Sequence, residues 1–253
     1  MALSQIGGSR FFSDSTWAPE LNLAEGQFGL LEMIIATVTV AILALIIAAP
    51  IGWFTAVYIH FFCKGVSRLF LHRVTEIVAG LPSVVLGLWG LVVLVPLLLN
   101  IRAPGLSVLA GAIVLAIMII PTIVVSTVSA YQNLNSELRV TSKGLGIGKA
   151  RFILEIATPL ASRGISTGLV LALARAMGET MVVVMVCGNV VQMPESMLDP
   201  VRTLTGNIAL EMGYAYGSHQ SALFLSGFLL LLSVLTVFIT GRLFLKTQEE
   251  PVR

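Results

Sequence analysis

With 57% hydrophobic and only 11% charged residues among 253, and a mean hydropathy of +0.96, this chain cannot be an ordinary soluble domain, where about a quarter of residues carry charge. A formal net charge of +2 is too small to imply nucleic acid or a basic surface domain. The three histidines (His60, His72, His219) are scattered, and neither GxxxxGK(S/T) nor HExxH occurs, so the sequence offers no metal-ligand cluster and no phosphate loop.

Residues 1–27 contain no apolar run, so nothing resembling a signal peptide opens the chain, and 1–29 reads as an extracytoplasmic or interfacial segment. Charge-free stretches follow at 33–63, 77–101, 103–136 and 212–241, each longer than the ~20 residues a helix needs to cross the hydrocarbon core. Residues 164–188, interrupted only by Arg175 and Glu179, make a fifth. Only helices satisfy their backbone within one segment in lipid. The expectation is an all-α polytopic protein, with a transmembrane domain over 30–248 and spans at about 33–62, 76–99, 106–130, 164–188 and 221–245.

In the second span, Gly80, Pro82 and Ser83 interrupt an apolar helix. Such a break is tolerated where neighbours or a polar cavity re-satisfy the backbone, and a plain packing kink is the other reading. The loop 132–162 is broken at Gly146 and Gly148. Beyond them Phe152, Ile153 and Ile156 share one helical face, with Lys149, Arg151 and Glu155 mostly on the other. A short helix parallel to the membrane is expected there, either a docking knob for a soluble partner or an interfacial helix on lipid. In the fourth span, Arg175 and Glu179 stand four residues apart, on one face of a continuous helix. Burying one charge at bilayer depth costs about 2.5–3.5 kcal/mol on insertion scales. The pair is therefore either an internal staple between helices or a polar patch facing a conduit for an ionic substrate. In the outer loop 189–219, the semi-apolar run 203–211 suits a short helix capping such a conduit.

Lys and Arg fix the orientation. Eleven of them (Lys64, Arg68, Arg73, Arg139, Lys143, Lys149, Arg151, Arg163, Arg242, Lys246, Arg253) fall on one side, against Arg10, Arg102 and Arg202 on the other. The loop 132–162 and the C-terminus are thus expected in the cytoplasm, and with five spans the N-terminus outside. Cys63 and Cys187 then lie on opposite sides and cannot form a disulfide.

These motifs resemble the permease subunits of binding-protein-dependent ABC importers. The cytoplasmic signature of that family is EAA, three residues, Gly, nine residues, Ile-x-Leu-Pro. Gly146, Ile156 and Pro159 match its spacing; Val140, Thr141 and Ser142 occupy the EAA positions and Thr158 replaces Leu. More specific are Arg175-Ala-Met-Gly-Glu179-Thr180-Met with Gly188-Asn189, and Asp199-Pro-Val-Arg202-Thr-Leu-Thr-Gly-Asn207-Ile-Ala-Leu-Glu211. With Ala-Gly80-Leu-Pro82-Ser83-Val-Val, they look like the phosphate importers of the Pst system, and their PstC rather than PstA subunit.

The resemblance, from about Gln27 to the C-terminal helix, implies several things. The fold would be that of a type I importer permease in the plasma (cell inner) membrane. Arg175, Glu179, Thr180 and Asn189 would line the substrate path, and Asp199, Arg202, Asn207 and Glu211 the outer gate. Partners would be a second, PstA-like permease, a cytoplasmic ATPase dimer and an extracytoplasmic phosphate-binding protein. ATP and Mg2+ would sit on the ATPase, with no cofactor and no enzymatic activity on this chain. Family members usually have six helices, so the first helix is expected to be missing here. Two alternatives stay open: another oxyanion such as sulfate or thiosulfate, which residue chemistry does not separate from phosphate, and a transport-inactive membrane sensor, suggested by the altered EAA positions.

Overall fold

The computed structural model describes residues 17, 18 and 27–247. Most of the segment 1–29 lies outside them, as do Arg10 and Arg253. The described part is helical, apart from a two-residue antiparallel pair of β1 (Trp17–Ala18) and β2 (Gln27–Phe28), in which Trp17 faces Phe28 and Ala18 faces Gln27. The helices in chain order are α1 (Leu31–Val57), α2 (Gly65–Gly80), α3 (Ser83–Trp89), α4 (Val95–Leu99), α5 (Val108–Gln132) and α6 (Ser136–Gly144). They continue with α7 (Lys149–Arg151), α8 (Thr158–Met177), α9 (Met181–Val186), α10 (Leu204–Glu211) and α11 (Gly217–Thr247). Wide π turns at Tyr58–Phe62, Gly90–Leu94 and Phe152–Ala157 extend α1 and join α3 to α4 and α7 to α8.

Four continuous helices are long and apolar enough to cross a membrane: Leu31–Phe62, Val108–Gln132, Lys149–Met177 and Gly217–Leu243. Gly65–Gly80 and Ser83–Leu99, bent by 90° at the break between them, make a fifth if the pair is one span. The all-α, polytopic class follows. Two spans differ from expectation. The second breaks at Leu81 and Pro82, whose backbones are extended (ψ 130° and 135°), so its apolar part starts at Ser83 rather than 76. Proline disfavours the helical region for the residue before it, and Pro82 then caps α3. The fourth runs 149–177 rather than 164–188, stopping at Gly178.

Proline also accounts for two of the π turns. Pro96 and Pro159 lack an N–H, and their rings crowd the carbonyl four residues back. At both places a widened turn lies immediately upstream, and the helix continues instead of ending. Lys149–Ile156 is therefore not a separate short helix. It is the opening of a 29-residue one.

Two compact units partition the chain. The first comprises Met1–Ala44, Pro82–Ala116 and Arg175–Thr236. Its core joins Phe28, Leu30 and Met33 to Leu204 and Ala222, all at most 1% exposed. Here α3 lies directly on α9. A Cβ on Gly87 would stand 2.9 Å from Met185 Sδ, and one on Gly90 2.6 Å from Val114 Cγ2, so the close approach needs glycine.

The second unit comprises Leu45–Leu81, Ile117–Ala174 and Val237–Arg253. Its core packs Val57, Phe61 and Tyr131 against Phe152, Ile153, Ala157 and Ala161. Trp53 Nε1 donates to the Tyr131 hydroxyl at 3.0 Å, and that hydroxyl is 2.8 Å from Thr158 Oγ1, satisfying the buried phenol. Phe152 and Ile153 are buried, and Ile156 packs on the same cluster. The apolar stripe exists as the sequence implies, but the chain itself covers it, so these residues are not a docking knob. On α11, Phe224, Phe228, Leu231 and Leu235 are exposed, as suits a face turned to lipid or to another helix.

Candidate functional site

The polar residues singled out in the fourth span and the outer loop all fall in the first unit. Glu179 caps a helix, and those of the loop after α9 form two clusters. The cap comes first. α8 ends at Met177, Gly178 follows in a turn, and Glu179 stands in the break before α9. Its Oε1 accepts from the backbone N–H of Met181 (3.0 Å) and of Val182 (3.4 Å), so the carboxylate sits at the positive end of α9. Glu179 is thus not on a continuous helix with Arg175, and the one-face argument from a spacing of four does not apply. Arg175 lies in the last turn of α8, exposed. Thr180 precedes α9 and makes no side-chain cap bond. Thr205, in α10, donates its hydroxyl to the Glu179 carbonyl at 2.8 Å, tying the break to α10.

The first cluster centres on Arg202. Its Nε donates to the carbonyl of Asn189 (3.0 Å). Its Nη1 donates to Asn207 Oδ1 (3.2 Å) and Glu211 Oε1 (2.6 Å). The other Glu211 oxygen accepts from Trp17 Nε1 at 2.6 Å and lies 2.8 Å from His219 Nε2. Glu211 is 7% exposed, so its charge is held by an arginine, an indole and an imidazole instead of water. Asn189 adopts φ 56°, a region asparagine tolerates, and donates Nδ2 to the Val184 carbonyl at 2.7 Å. Asn207 is fully buried, and its Nδ2 has no partner.

The second cluster is built on Asp199. One oxygen accepts from the N–H groups of Glu195 (3.0 Å) and Ser196 (2.6 Å), and the other pairs with Arg102 Nη1 at 3.0 Å. Asp199 therefore does not join Arg202, Asn207 and Glu211. It shapes the turn before them. α10 matches the short helix expected over 203–211. Thr203 caps it by accepting from Gly206 N (3.1 Å), and Leu204 N donates to the buried hydroxyl of Thr37 at 3.0 Å.

Four members escaped sequence reasoning: Trp17, Thr37, Arg102 and His219. Trp17 meets Glu211 across 194 positions and Thr37 meets Leu204 across 167, and no local pattern announces either contact.

In the second unit, the positions of the cytoplasmic signature separate by exposure. Val140 is 72% exposed and Thr141 is exposed, whereas Ser142 is buried and donates to the Arg139 carbonyl at 3.1 Å. Gly146 takes φ +73°, closing the turn in which Ile147 N returns to the Ser142 carbonyl at 2.9 Å. Pro159 is exposed in the first turn of α8. Gly80 is the last residue of α2, and Pro82 and Ser83 begin α3.

Residues 48–247 match the family model described as binding-protein-dependent transport system inner membrane component. The chain is 37% identical over 232 residues to a probable ABC transporter permease protein, YqgH, of Bacillus subtilis (strain 168), covering 90% of this chain and 74% of that one. It is 32% identical over 266 residues to the phosphate transport system permease protein PstC of Xylella fastidiosa (strain 9a5c), covering 95% and 80%. Among solved structures, the inward-facing MetNI methionine ABC transporter superimposes with a TM-score of 0.69 at 17% identity, over 86% of this chain and 95% of that one. At that identity the likeness speaks to the fold.

Proposed function

Because the chain belongs to the inner membrane components of binding-protein-dependent transport systems, we propose that it is the permease subunit through which inorganic phosphate crosses the membrane. A multi-pass membrane subunit of this family works with other components, among them an ATPase and a binding protein. The observation that carries the substrate is the similarity to PstC permeases along nearly the whole chain.

The polar clusters suit this reading. A conduit for an oxyanion needs a charged donor able to offer charge-assisted hydrogen bonds, on a frame that does not collapse around it. Arg175, exposed at the end of α8, suits that role. Glu179 and Thr205 hold the break beside it, and Arg202–Glu211 fixes the outer-loop helix. The partners in this reading are a PstA-like permease, a pair of cytoplasmic ATPases and an extracytoplasmic phosphate-binding protein. The ATPases bind ATP and Mg2+ and contact the exposed Val140 and Thr141. The loop 132–162 and the C-terminus face the cytoplasm, and 189–219 faces outward.

The test is radiolabelled phosphate uptake in cells lacking every other phosphate importer, with the partner subunits co-expressed. Uptake appears with the intact chain and persists in excess sulfate. Loss of uptake to sulfate competition assigns the permease to another oxyanion.

A further inference from the structure

Helix α2 is built with three faces. Its Leu71, Thr75 and Val78 are half-buried and its other residues are exposed. Leu71 packs on the buried cluster of Ala56, Ile59, Val124 and Val128, so this first face rests on the protein. At about 100° per residue, Arg68, His72 and Glu76 form a second face, roughly a quarter turn round from the first. Val66, Phe70 and Ile77 form the third, roughly a third of a turn the other way. They are 84%, 65% and 65% exposed, and Val74, between them and the packed face, is 39% exposed. An apolar stripe along the length of α2 is thus left uncovered by the described residues.

α2 is bent by 90° from Ser83–Leu99, which by itself has the length of the shortest membrane spans, about 17 residues. The chain therefore does not need α2 in order to cross. A helix at a right angle to a span lies along the membrane plane, and one carrying Arg68, His72, Arg73 and Glu76 is costly at any greater depth. The chain also enters α2 from a segment suited to headgroup depth. Exposed Tyr58 and Phe62 stack at 6.1 Å in the turn just before it, and Lys149 Nζ stands 3.7 Å from the Phe62 ring. Tyrosine and lysine gather at that level of a bilayer. The charge of the segment is one-sided as well. Glu76 is matched by His72 at 3.3 Å and Arg73 at 3.1 Å. Lys64, Arg68 and Arg73 against Glu76 leave 64–80 at +2 with His72 neutral. A basic amphipathic helix with an uncovered apolar stripe complements an anionic lipid surface.

We propose that α2 lies in the headgroup region of an anionic leaflet, with Val66, Phe70 and Ile77 among the acyl chains and Lys64 and Arg68 at lipid phosphates. In the orientation given above this is the cytoplasmic leaflet. The contact is separate from Arg175 and does not depend on what the permease transports.

The test uses the assembled transporter reconstituted in vesicles of mixed phosphatidylglycerol and phosphatidylcholine. Its native cysteines are replaced, and bimane is attached to Phe70→Cys, Ile77→Cys or, on the polar face, His72→Cys. Brominated acyl chains quench a bimane that lies in lipid, and iodide quenches one that lies in water. Positions 70 and 77 should respond to brominated lipid and not to iodide, with the reverse at 72. Each Lys or Arg near an anionic surface is worth about fivefold in lipid partition, so brominated phosphatidylglycerol should quench position 70 about threefold more than brominated phosphatidylcholine at the same mole fraction. Lys64→Gln with Arg68→Gln should bring the two toward equality. Iodide quenching at 70 and 77 would place the stripe in water, and quenching by neither agent would place it under another protein chain; either result overturns the proposal. Equal quenching by the two brominated lipids, or a preference that the double variant leaves intact, overturns the anionic partner. Both leaflets carry the same lipid, so an inverted orientation or a different transported ion leaves the expected result unchanged.

Discussion

Arg202→Leu is the substitution whose consequence the geometry fixes best. It removes three hydrogen bonds, at 3.0, 3.2 and 2.6 Å, and leaves Glu211 with only Trp17 and His219. Breaking a buried ion pair from one side costs about 3–5 kcal/mol, because the remaining charge stays desolvated. The Arg202 side chain keeps 20% of its surface exposed and Glu211 keeps 9%, so the lower end applies. The expected loss is about 3 kcal/mol, more than a hundredfold in the folded-to-unfolded ratio. Replacing both residues, Arg202→Leu with Glu211→Leu, leaves no buried carboxylate in this cluster. It should lose less than the sum of the two single changes, with a coupling of about 1–3 kcal/mol. Reversible unfolding by dodecyl sulfate in mixed micelles, followed by tryptophan fluorescence, measures all three variants. An Arg202→Leu protein within about 0.5 kcal/mol of the parent, the range of ordinary surface substitutions, refutes the reasoning.

Other predictions follow from the same contacts. Ile153→Asp buries an unpaired carboxylate in the core around Tyr131 and should abolish folded protein in the membrane fraction, whereas Val140→Asp, at a 72% exposed position, should leave the protein folded and abolish ATPase co-purification. Glu179→Ala removes the acceptor for Met181 and Val182 N–H and should destabilise α9 by about 1 kcal/mol, read as faster hydrogen exchange at those two amides. Single cysteines at the exposed positions Val140 and Met197 of a cysteine-free variant should react with an impermeant maleimide from opposite sides, and equal labelling from outside contradicts the orientation.

The helical spans were legible because lipid leaves the backbone no alternative, and a charge-free run of more than ~20 residues therefore has one reading. Where such a run stops was less legible. Gly178 and Gly168 look alike in sequence, but only the first ends a helix. The second lies inside α8, where its Cβ would stand 2.5 Å from Ser126 Cβ, a packing requirement that only the tertiary structure reveals. The stripe Phe152, Ile153 and Ile156 was correct as a face and misread as a surface. Periodicity says which residues point together and is silent on what covers them, here Phe61 and Tyr131 from distant parts of the chain. Pro159 lies inside the loop expected over 132–162, and the widened turn at Phe152–Ala157 lets one helix run through it. In the outer loop, the run Arg202 to Glu211 was recognised as a unit and does converge, but Trp17 and His219, which complete the shell of Glu211, carry no local signal. Asp199 belongs with Arg102, a partner 97 positions earlier in the chain.

The most direct measurement of the central claim is ATP-driven uptake of radiolabelled phosphate into proteoliposomes. They contain this chain with its second permease and ATPase, and the binding protein is supplied on the outward face. The account predicts uptake that needs both ATP and binding protein. Arg175→Leu should assemble normally but abolish that uptake, while Arg175→Lys should retain part of it, because lysine keeps the charge and loses the two-pronged geometry. Uptake by the Arg175→Leu complex at the rate of the parent would contradict the account.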